Sequence, residues 1–430
     1  MTAWRTGSGP QVASRREGEG VTSGLQSITD ELSHRAGVAV VIDDPDLRTV
    51  AHSNQLGPID SLRRDSILNR AISPAATAWL SSFGIYRSAR PVKIPASPHL
   101  DILPRVCIPV RYRDQLLGFL WLIDPFDAIS AADLEAAQRA AEHAGLMLYE
   151  ERLEARLAGQ ALAHLLSTSE ELREAAAGLL VSQSLLREGE PVAAVVVQAA
   201  PDGAPTGVPI EDALLDIGWD APAGSFLRLA QDDHGVALVR LRSQDDDHSV
   251  TSLASACRER LHRRLSEAGR GAVRVVAGVG DSQTDLMRAA ASYRQARLAV
   301  TVAVAMPTMG DVVRWSDLGV FRVLSQLPNR ETMTSAIDPR VEAVLALGDT
   351  ALVETLETYL DLAGDAKATT EHLHLHRATL YYRLEKARRV AGIDMHNGYD
   401  RLAVHLGLKL ARLAGRHGTG RPPDPVRPVR

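Results

Sequence analysis

Seven residues near the C-terminus carry side chains suited to one kind of chemistry: His376, Arg377, Thr379, Tyr382, Arg383, Lys386 and Arg389, in the run HRATLYYRLEKARR. An arginine can grip a guanine edge with two parallel hydrogen bonds. Hydroxyls, lysines and further arginines suit phosphate oxygens. Arg377 and His376 are the candidates for base edges, with Tyr382 beside them. Thr379, Arg383 and Arg389 are the candidates for phosphates, and Lys386 belongs to the same basic turn. The expected partner is double-stranded DNA.

The elements that must position these residues are two short helices. Thr369 to Leu373 reads as the first, His374 and Leu375 as a tight link, and the basic run as the second. Leu373, Leu375, Leu380 and Leu384 are spaced to bury one side of both, leaving Arg377, Thr379, Tyr382, Arg383, Lys386, Arg388 and Arg389 for the outside or the rim. In helical projection Ala378, Tyr382, Glu385 and Arg389 point most directly away from Leu380. A helix pair whose second member offers such residues fits the major groove. The competing interpretation is a solvated basic helix in an ordinary bundle.

The rest of the chain bounds what this segment can be. With 430 residues it holds two to four domains of roughly 100–200 residues. The formal net charge of −5 excludes a chain that coats nucleic acid along its whole length. Yet from Ala366 onward thirteen basic residues face five acidic ones, a basic module on an acidic body. Cys107 and Cys257 both lie in apolar periodic segments and read as buried thiols, not a disulfide framework. No apolar run reaches the ~18–20 residues that span a bilayer, and the first 20 residues lack a signal peptide's apolar core. A cytoplasmic protein is expected.

Along the chain, Leu25 to Ala36 reads as a helix, followed by strands at Val38 to Ile42 and Thr49 to Ser53. Ser61 to Ile72 and Ala75 to Ser81 look helical; Pro91 to Ile94, Arg105 to Val110 and Leu116 to Ile123 look like strands. The last is apolar throughout, as a central strand covered on both faces would be. Ser130 and Asp133 form a capping-box-like start for a long helix. Its stripe of Leu134, Ala137, Ala141, Leu148, Leu153 and Leu157 serves either a dimer interface or packing on its own sheet, with an interruption expected at Gly159 and a second helix to about Arg187. A second α+β pattern follows: a strand at Val192 to Gln198, a Pro/Gly loop at Ala200 to Gly207 and a hairpin of Ser225 to Ala230 and Val236 to Leu241. A helix from Val250 to Leu265, a strand at Val273 to Val279, a helix capped by Ser282 and a helix at Leu318 to Leu327 complete it. Arg340 to Leu362 opens an all-helical end.

Asp365 to Leu413 resembles the C-terminal helix-turn-helix of PucR/CdaR-type bacterial transcription regulators, whose pattern is like T-x-x-x-L-x-[VI]-H-R-N-T-[LV]-x-Y-R-L. Thr369, Leu373, His376, Arg377, Thr379, Leu380, Tyr382, Arg383 and Leu384 match, as do Gly392, Ile393, Asp394, Arg401, Leu402 and Leu406 beyond it. Leu375 stands where the family has Val or Ile, and Ala378 where it usually has Asn, which removes a possible adenine reader. HRATLYYRL is also similar to the recognition helix of the nucleoid protein Fis. Val192 to Leu327 is similar to the family's GGDEF-like domain, and Ser61 to Glu151 to a GAF-like sensor. The resemblance implies a multi-domain α+β protein: a disordered 1–20, a GAF-like α/β sensor at 21–150, linking helices at 130–188, a degenerate GGDEF-like α+β domain at 189–330, an all-α helix-turn-helix domain at 338–414 and a disordered basic tail at 415–430. It implies a regulator of a catabolic or metabolic operon with an unidentified small-molecule effector, and a homodimer or higher homo-oligomer.

Other chemistry has less support. A nucleotide cyclase needs acidic metal ligands and a Gly-Gly turn in the hairpin. Asp232 and Asp233 are present, but the Gly-Gly-(Asp/Glu)-Glu-Phe string is not. A cyclase-like enzyme with a C-terminal protein-interaction domain is therefore the alternative, and no enzyme activity is expected. His372, His374 and His376 alternate like metal ligands on a strand, but should diverge across a helix-turn-helix link. Gly278 and Gly280 precede a helix without the Lys-Ser/Thr of a phosphate loop. No metal and no cofactor are expected.

Overall fold

The computed structural model describes residues 20–69, 72–200, 226–244, 246–267, 273–327 and 329–416. The termini expected to be disordered (1–20 and most of 415–430) and the loop after Ala200 lie largely outside these residues. The chain divides into two compact units, with the boundary between Ala158 and Gly159.

The first unit is a five-stranded antiparallel sheet in the order β2-β1-β5-β4-β3. Its strands are β1 (Ala39–Asp43), β2 (Thr49–His52), β3 (Val92–Ile94), β4 (Arg105–Tyr112) and β5 (Gln115–Ile123). Strand β5 is central and buried on both faces, which is why its sequence is apolar without alternation. One face packs Val40, Ile42, Val106, Ile108, Leu120 and Leu122 against α1 (Gly20–Ala36) and the start of α4 (Ala131–Leu165). The other packs Val41, Cys107, Phe119 and Trp121 under α2 (Ser61–Asn69) and α3 (Pro74–Ser82). Gly145 of α4 lies so close to β4 that a Cβ there would stand 2.5 Å from the Arg111 carbonyl oxygen. The expected capping box starts α4: Asp133 N–H donates to Ser130 Oγ at 3.1 Å, and Ser130 N–H to Asp133 Oδ2 at 3.3 Å. Helix α4 continues through Gly159 and ends at Leu165, so the expected interruption there is corrected. A Cβ at Gly159 would come 3.0 Å from the Arg228 carbonyl oxygen; the glycine permits close approach and does not break the helix.

The second unit contains α5 (Glu170–Ser182) and a sheet in the order β10-β9-β6-β8-β7. Its strands are β6 (Val192–Ala199), β7 (Phe226–Ala230), β8 (Gly235–Arg240), β9 (Val275–Val279) and β10 (Val312–Arg314). Among the described residues of this sheet only the β9–β10 pair is parallel. Helix α6 (Asp247–Glu267) covers one face through Val250, Ala254, Cys257, Leu261 and Leu265. Helix α7 (Ala289–Ala305) crosses β9 at backbone distance: a Cβ on Gly278 or Gly280 would lie 2.1 Å from the Ala296 or 2.0 Å from the Ser292 carbonyl oxygen. Those glycines therefore serve packing. The start of α7 also differs from expectation. Asp285 caps a 3-10 turn at Leu286–Arg288, while Ser282 Oγ donates to the Gln244 carbonyl. Between Leu318 and Leu327 the helix is only α8 (Phe321–Leu324).

Both cysteines are buried and unpaired, and burial pushes both thiols well above their ordinary pKa, Cys257 up to about 12. The native protein should therefore react with iodoacetamide at pH 8 more than about a hundredfold more slowly than in urea, since the thiolate is the nucleophile. Fast labelling of either cysteine in the folded protein would contradict its burial.

Candidate nucleic-acid interface

The helical end comprises α9 (Arg330–Ser335), α10 (Pro339–Leu345), α11 (Thr350–Asp361), α12 (Ala366–His372), α13 (Arg377–Ala391) and α14 (Gly398–Leu413). Helices α12 and α13 are the predicted pair, and their ends are set by side chains the sequence supplies. Asp365 caps α12, accepting from the N–H groups of Lys367 and Ala368 at 2.8 and 3.0 Å. At the other end His374 adopts a left-handed backbone with φ 51°. Leu375 N–H then reaches the Thr370 carbonyl at 2.9 Å and His374 N–H the Glu371 carbonyl at 3.4 Å. This is a Schellman closure with histidine in place of the usual glycine. His376 follows as the cap of α13, its Nδ1 accepting from Ala378 N–H at 3.3 Å. The imidazole does the work of a serine or asparagine cap, which requires an unprotonated Nδ1. Gly392, at φ 67°, ends α13.

Leu380 and Ala387 anchor α13 and are fully buried. Arg377, Ala378, Tyr381, Tyr382, Glu385, Arg388 and Arg389 are exposed and recur with helical spacing, forming one outward ridge. Three arginines and two tyrosines lie on it against one acid, Glu385, which pairs with Arg388 at 3.0 Å. Four of the seven candidates are on or beside this ridge: His376 at its start, Arg377, Tyr382 and Arg389. Thr379 is half-buried on its flank.

Arg383 and Lys386 are differently engaged. Arg383 Nη1 donates to Thr355 Oγ1 at 2.7 Å and to the Ala351 carbonyl at 3.2 Å, both on α11. Lys386 Nζ meets Asp349 Oδ2 at 2.6 Å. Asp349 also caps α11 through Leu352 N–H at 3.0 Å, and the Lys386 hydrogen bond holds its carboxyl below the usual carboxylate range. These two cations, half-buried at the rim of the ridge, fasten α13 to its scaffold. Residues 383 and 386 flank Leu380, Leu384 and Ala387 on a helical wheel, the signal that could have revealed it. Tyr381, absent from the candidate set, is half exposed on the ridge beside Arg377.

Behind α13, a buried charge network joins α11 to α14. Lys409 Nζ lies 2.9 Å from Glu357 Oε1 and 2.8 Å from Asp361 Oδ2; His405 Nε2 is 2.7 Å from Asp361 Oδ1; Arg412 pairs with Glu357. Burial raises the Asp361 pKa, but His405 and Lys409 outweigh it and hold the carboxyl below its ordinary range.

The three histidines do diverge: His372 ends α12, His374 is in the turn and His376 caps α13. Among the described residues no group of three or more His, Cys, Asp or Glu is arranged to hold a metal ion, and no helix is long and apolar enough to cross a membrane. At the β7–β8 turn, His234 is 4% exposed, with Nδ1 2.5 Å from Asp233 Oδ1 and Nε2 2.8 Å from the Tyr293 hydroxyl of α7. Arg297 joins Asp233 at 3.3 Å. The hairpin is thus tied to α7 by its own side chains.

Three family models match the chain in order: a GAF domain over 22–148, a GGDEF-like domain over 164–302 and the PucR C-terminal helix-turn-helix domain over 352–410. The proline-responsive transcriptional activator PutR of Bacillus subtilis (strain 168) is 20% identical over 91% of this chain and 97% of its own length. The DNA-binding transcriptional activator AdeR of the same organism is 21% identical over 90% of this chain and 93% of its own. A regulator of polyketide synthase expression from Bifidobacterium adolescentis aligns at 18% identity over 60% of this chain and 94% of that one, with a TM-score of 0.27. With its outward basic ridge on α13 and these three domains in this order, the chain is a DNA-binding transcriptional regulator whose C-terminal end matches the PucR helix-turn-helix domain.

Proposed function

We propose that this regulator reads an operator with the outward ridge of α13, Arg377 on a base edge, with His376 and Tyr382 beside it and Arg389, Arg388 and Thr379 toward phosphates. The observation that carries the reading is the ridge itself: seven exposed positions at helical spacing, net basic, on the second helix of the pair. Arg383 and Lys386 act from the rim, as scaffold ties first. Selection from a randomised duplex pool with the full chain tests it; a pool that enriches no motif sinks sequence-specific reading. Arg389→Ala should weaken every sequence alike and lower the slope of log affinity against log salt by about one. A change confined to one base pair would reassign Arg389 to base reading.

The regulator acts, in this proposal, as a cytoplasmic homodimer that answers a small-molecule effector and controls a catabolic or metabolic operon. Leu146, Leu153 and Leu157 of α4, spaced by seven and four residues and each exposed, support self-association. Two half-sites about one helical turn apart suit such a dimer. Sedimentation of a monomer at micromolar concentration would end this part. The relatives' names, one of them proline-responsive, support an effector without identifying it. Thermal-shift screening against amino acids, purines and sugar acids tests it, and no stabilising compound among them would count against it.

The protein is further proposed to lack cyclase activity. The hairpin has no Gly-Gly-(Asp/Glu)-Glu-Phe string, and its His234 and Asp233 are engaged with Tyr293 and Arg297. Formation of a cyclic dinucleotide from GTP with Mg²⁺ or Mn²⁺ would overturn that.

A further inference from the structure

We infer that Tyr381 is a specificity-determining positioning residue, which holds the Arg377 guanidinium in the orientation that reads a base; this rests on the proposed role of Arg377. Arg377 is the first residue of α13, and Tyr381 stands one turn later on the same ridge. Helical side chains lean toward the N-terminus, over the turn before their own Cα. A tyrosine at 381 therefore covers residue 377, and a long side chain at 377 would otherwise swing beyond the helix start. The guanidinium carbon lies 5.8 Å from the centre of the Tyr381 ring, and Nη2 is 3.5 Å from the Tyr381 hydroxyl oxygen.

No carboxylate pairs with Arg377 among the described residues, and its Nε and Nη1 have no hydrogen-bond partner there. The ring thus restrains the cation without neutralising it. That is what base reading needs: arginine has many rotamers to lose, and a preoriented planar fork loses fewer when it meets two acceptors. A carboxylate at the same place would hold the arginine equally well, but would compete with the base and repel phosphate. Tyr381 is half exposed, so it is not there to fill the core. Tyr382, its neighbour, makes no such contact with an arginine among the described residues.

The test uses the full-length protein and the randomised-duplex pool, followed by affinities for the selected duplex and its single-base variants. Wild type is compared with Tyr381→Leu, Tyr381→Phe, Arg377→Ala and the Tyr381→Leu/Arg377→Ala double variant. At the base pair whose preference Arg377→Ala abolishes, Tyr381→Leu is expected to reduce the preference about two- to fivefold, the worth of an exposed cation–π contact. Tyr381→Phe, which keeps the ring, should retain most of it. In the Arg377→Ala background Tyr381→Leu should change nothing. Uniform weakening across all sequences, or an equal effect without Arg377, overturns the inference and leaves Arg377 as the reader. If Arg377→Ala itself leaves every preference intact, the base-reading role fails first, and the inference falls with it.

Discussion

Arg377→Ala is expected to cost this regulator its discrimination at one base pair while leaving the fold intact. A bidentate arginine–guanine contact contributes about 1–3 kcal/mol of discrimination, roughly five- to 150-fold. The proposed reading gives this contact to Arg377. It opens the second helix of the pair, where such helices present their first residues to base edges. It is exposed, and among the described residues its guanidinium touches only Tyr381. The measurement is the affinity for a selected duplex and for the three alternatives at each position. The wild type should prefer one base strongly; the variant should bind all four within about twofold at that position. Retention of the full preference would remove Arg377 from the readout. The contrast with Arg389→Ala separates reading from holding, because a phosphate contact is lost equally on every sequence.

Glu357→Ala should destabilise the helix-turn-helix domain by about 3–5 kcal/mol, the usual cost of removing one partner from a buried ion pair. Glu357 and Asp361 supply two negative charges to α11; Lys409 and Arg412 supply two positive charges to α14. Glu357, Lys409 and Arg412 are each more than nine-tenths buried, so removal of Glu357 strands a cation without water. Arg412 is the more vulnerable, because its Nε and Nη1 already lack a hydrogen-bond partner. The effect should reach DNA binding indirectly. Helix α11 carries Thr355 and lies next to Asp349, the anchors of Arg383 and Lys386 on α13. Amide hydrogen exchange of α13 in the intact chain measures it. A loss of protection below about 1 kcal/mol would mean that the network is solvated and contributes little. Replacing all four charged residues by apolar ones of similar volume should be far less damaging than removing one.

Much of this was legible in the chain. The leucine spacing announced the helix pair, though of the four only Leu380 is buried; Leu373 and Leu375 lie in the link between the helices and, like Leu384, are half-buried. The unalternated run of β5 announced a strand covered on both sides, and the Asp-Asp-His-Gly turn announced the hairpin. The errors came where a small or polar residue has more than one use. Gly159 looked like a break but lets Arg228 approach a continuous helix. Ser282 looked like a cap, yet Asp285 starts the next turn. Gly278 and Gly280, which lack the Lys-Ser/Thr of a phosphate loop, let α7 pack on the sheet.

The basic run illustrates the division most clearly. Local spacing was enough to identify a polar, cationic helix paired with another and suited to DNA, because periodicity depends only on neighbours three and four residues apart. It could not distribute the cations. Arg383 and Lys386 were drawn inward by Thr355 and Asp349, which precede them by 28 and 37 residues. Arg377 and Arg389 stayed outside, Arg377 with Tyr381 one turn later on the same ridge. Partners distant in sequence determine which charges are already engaged.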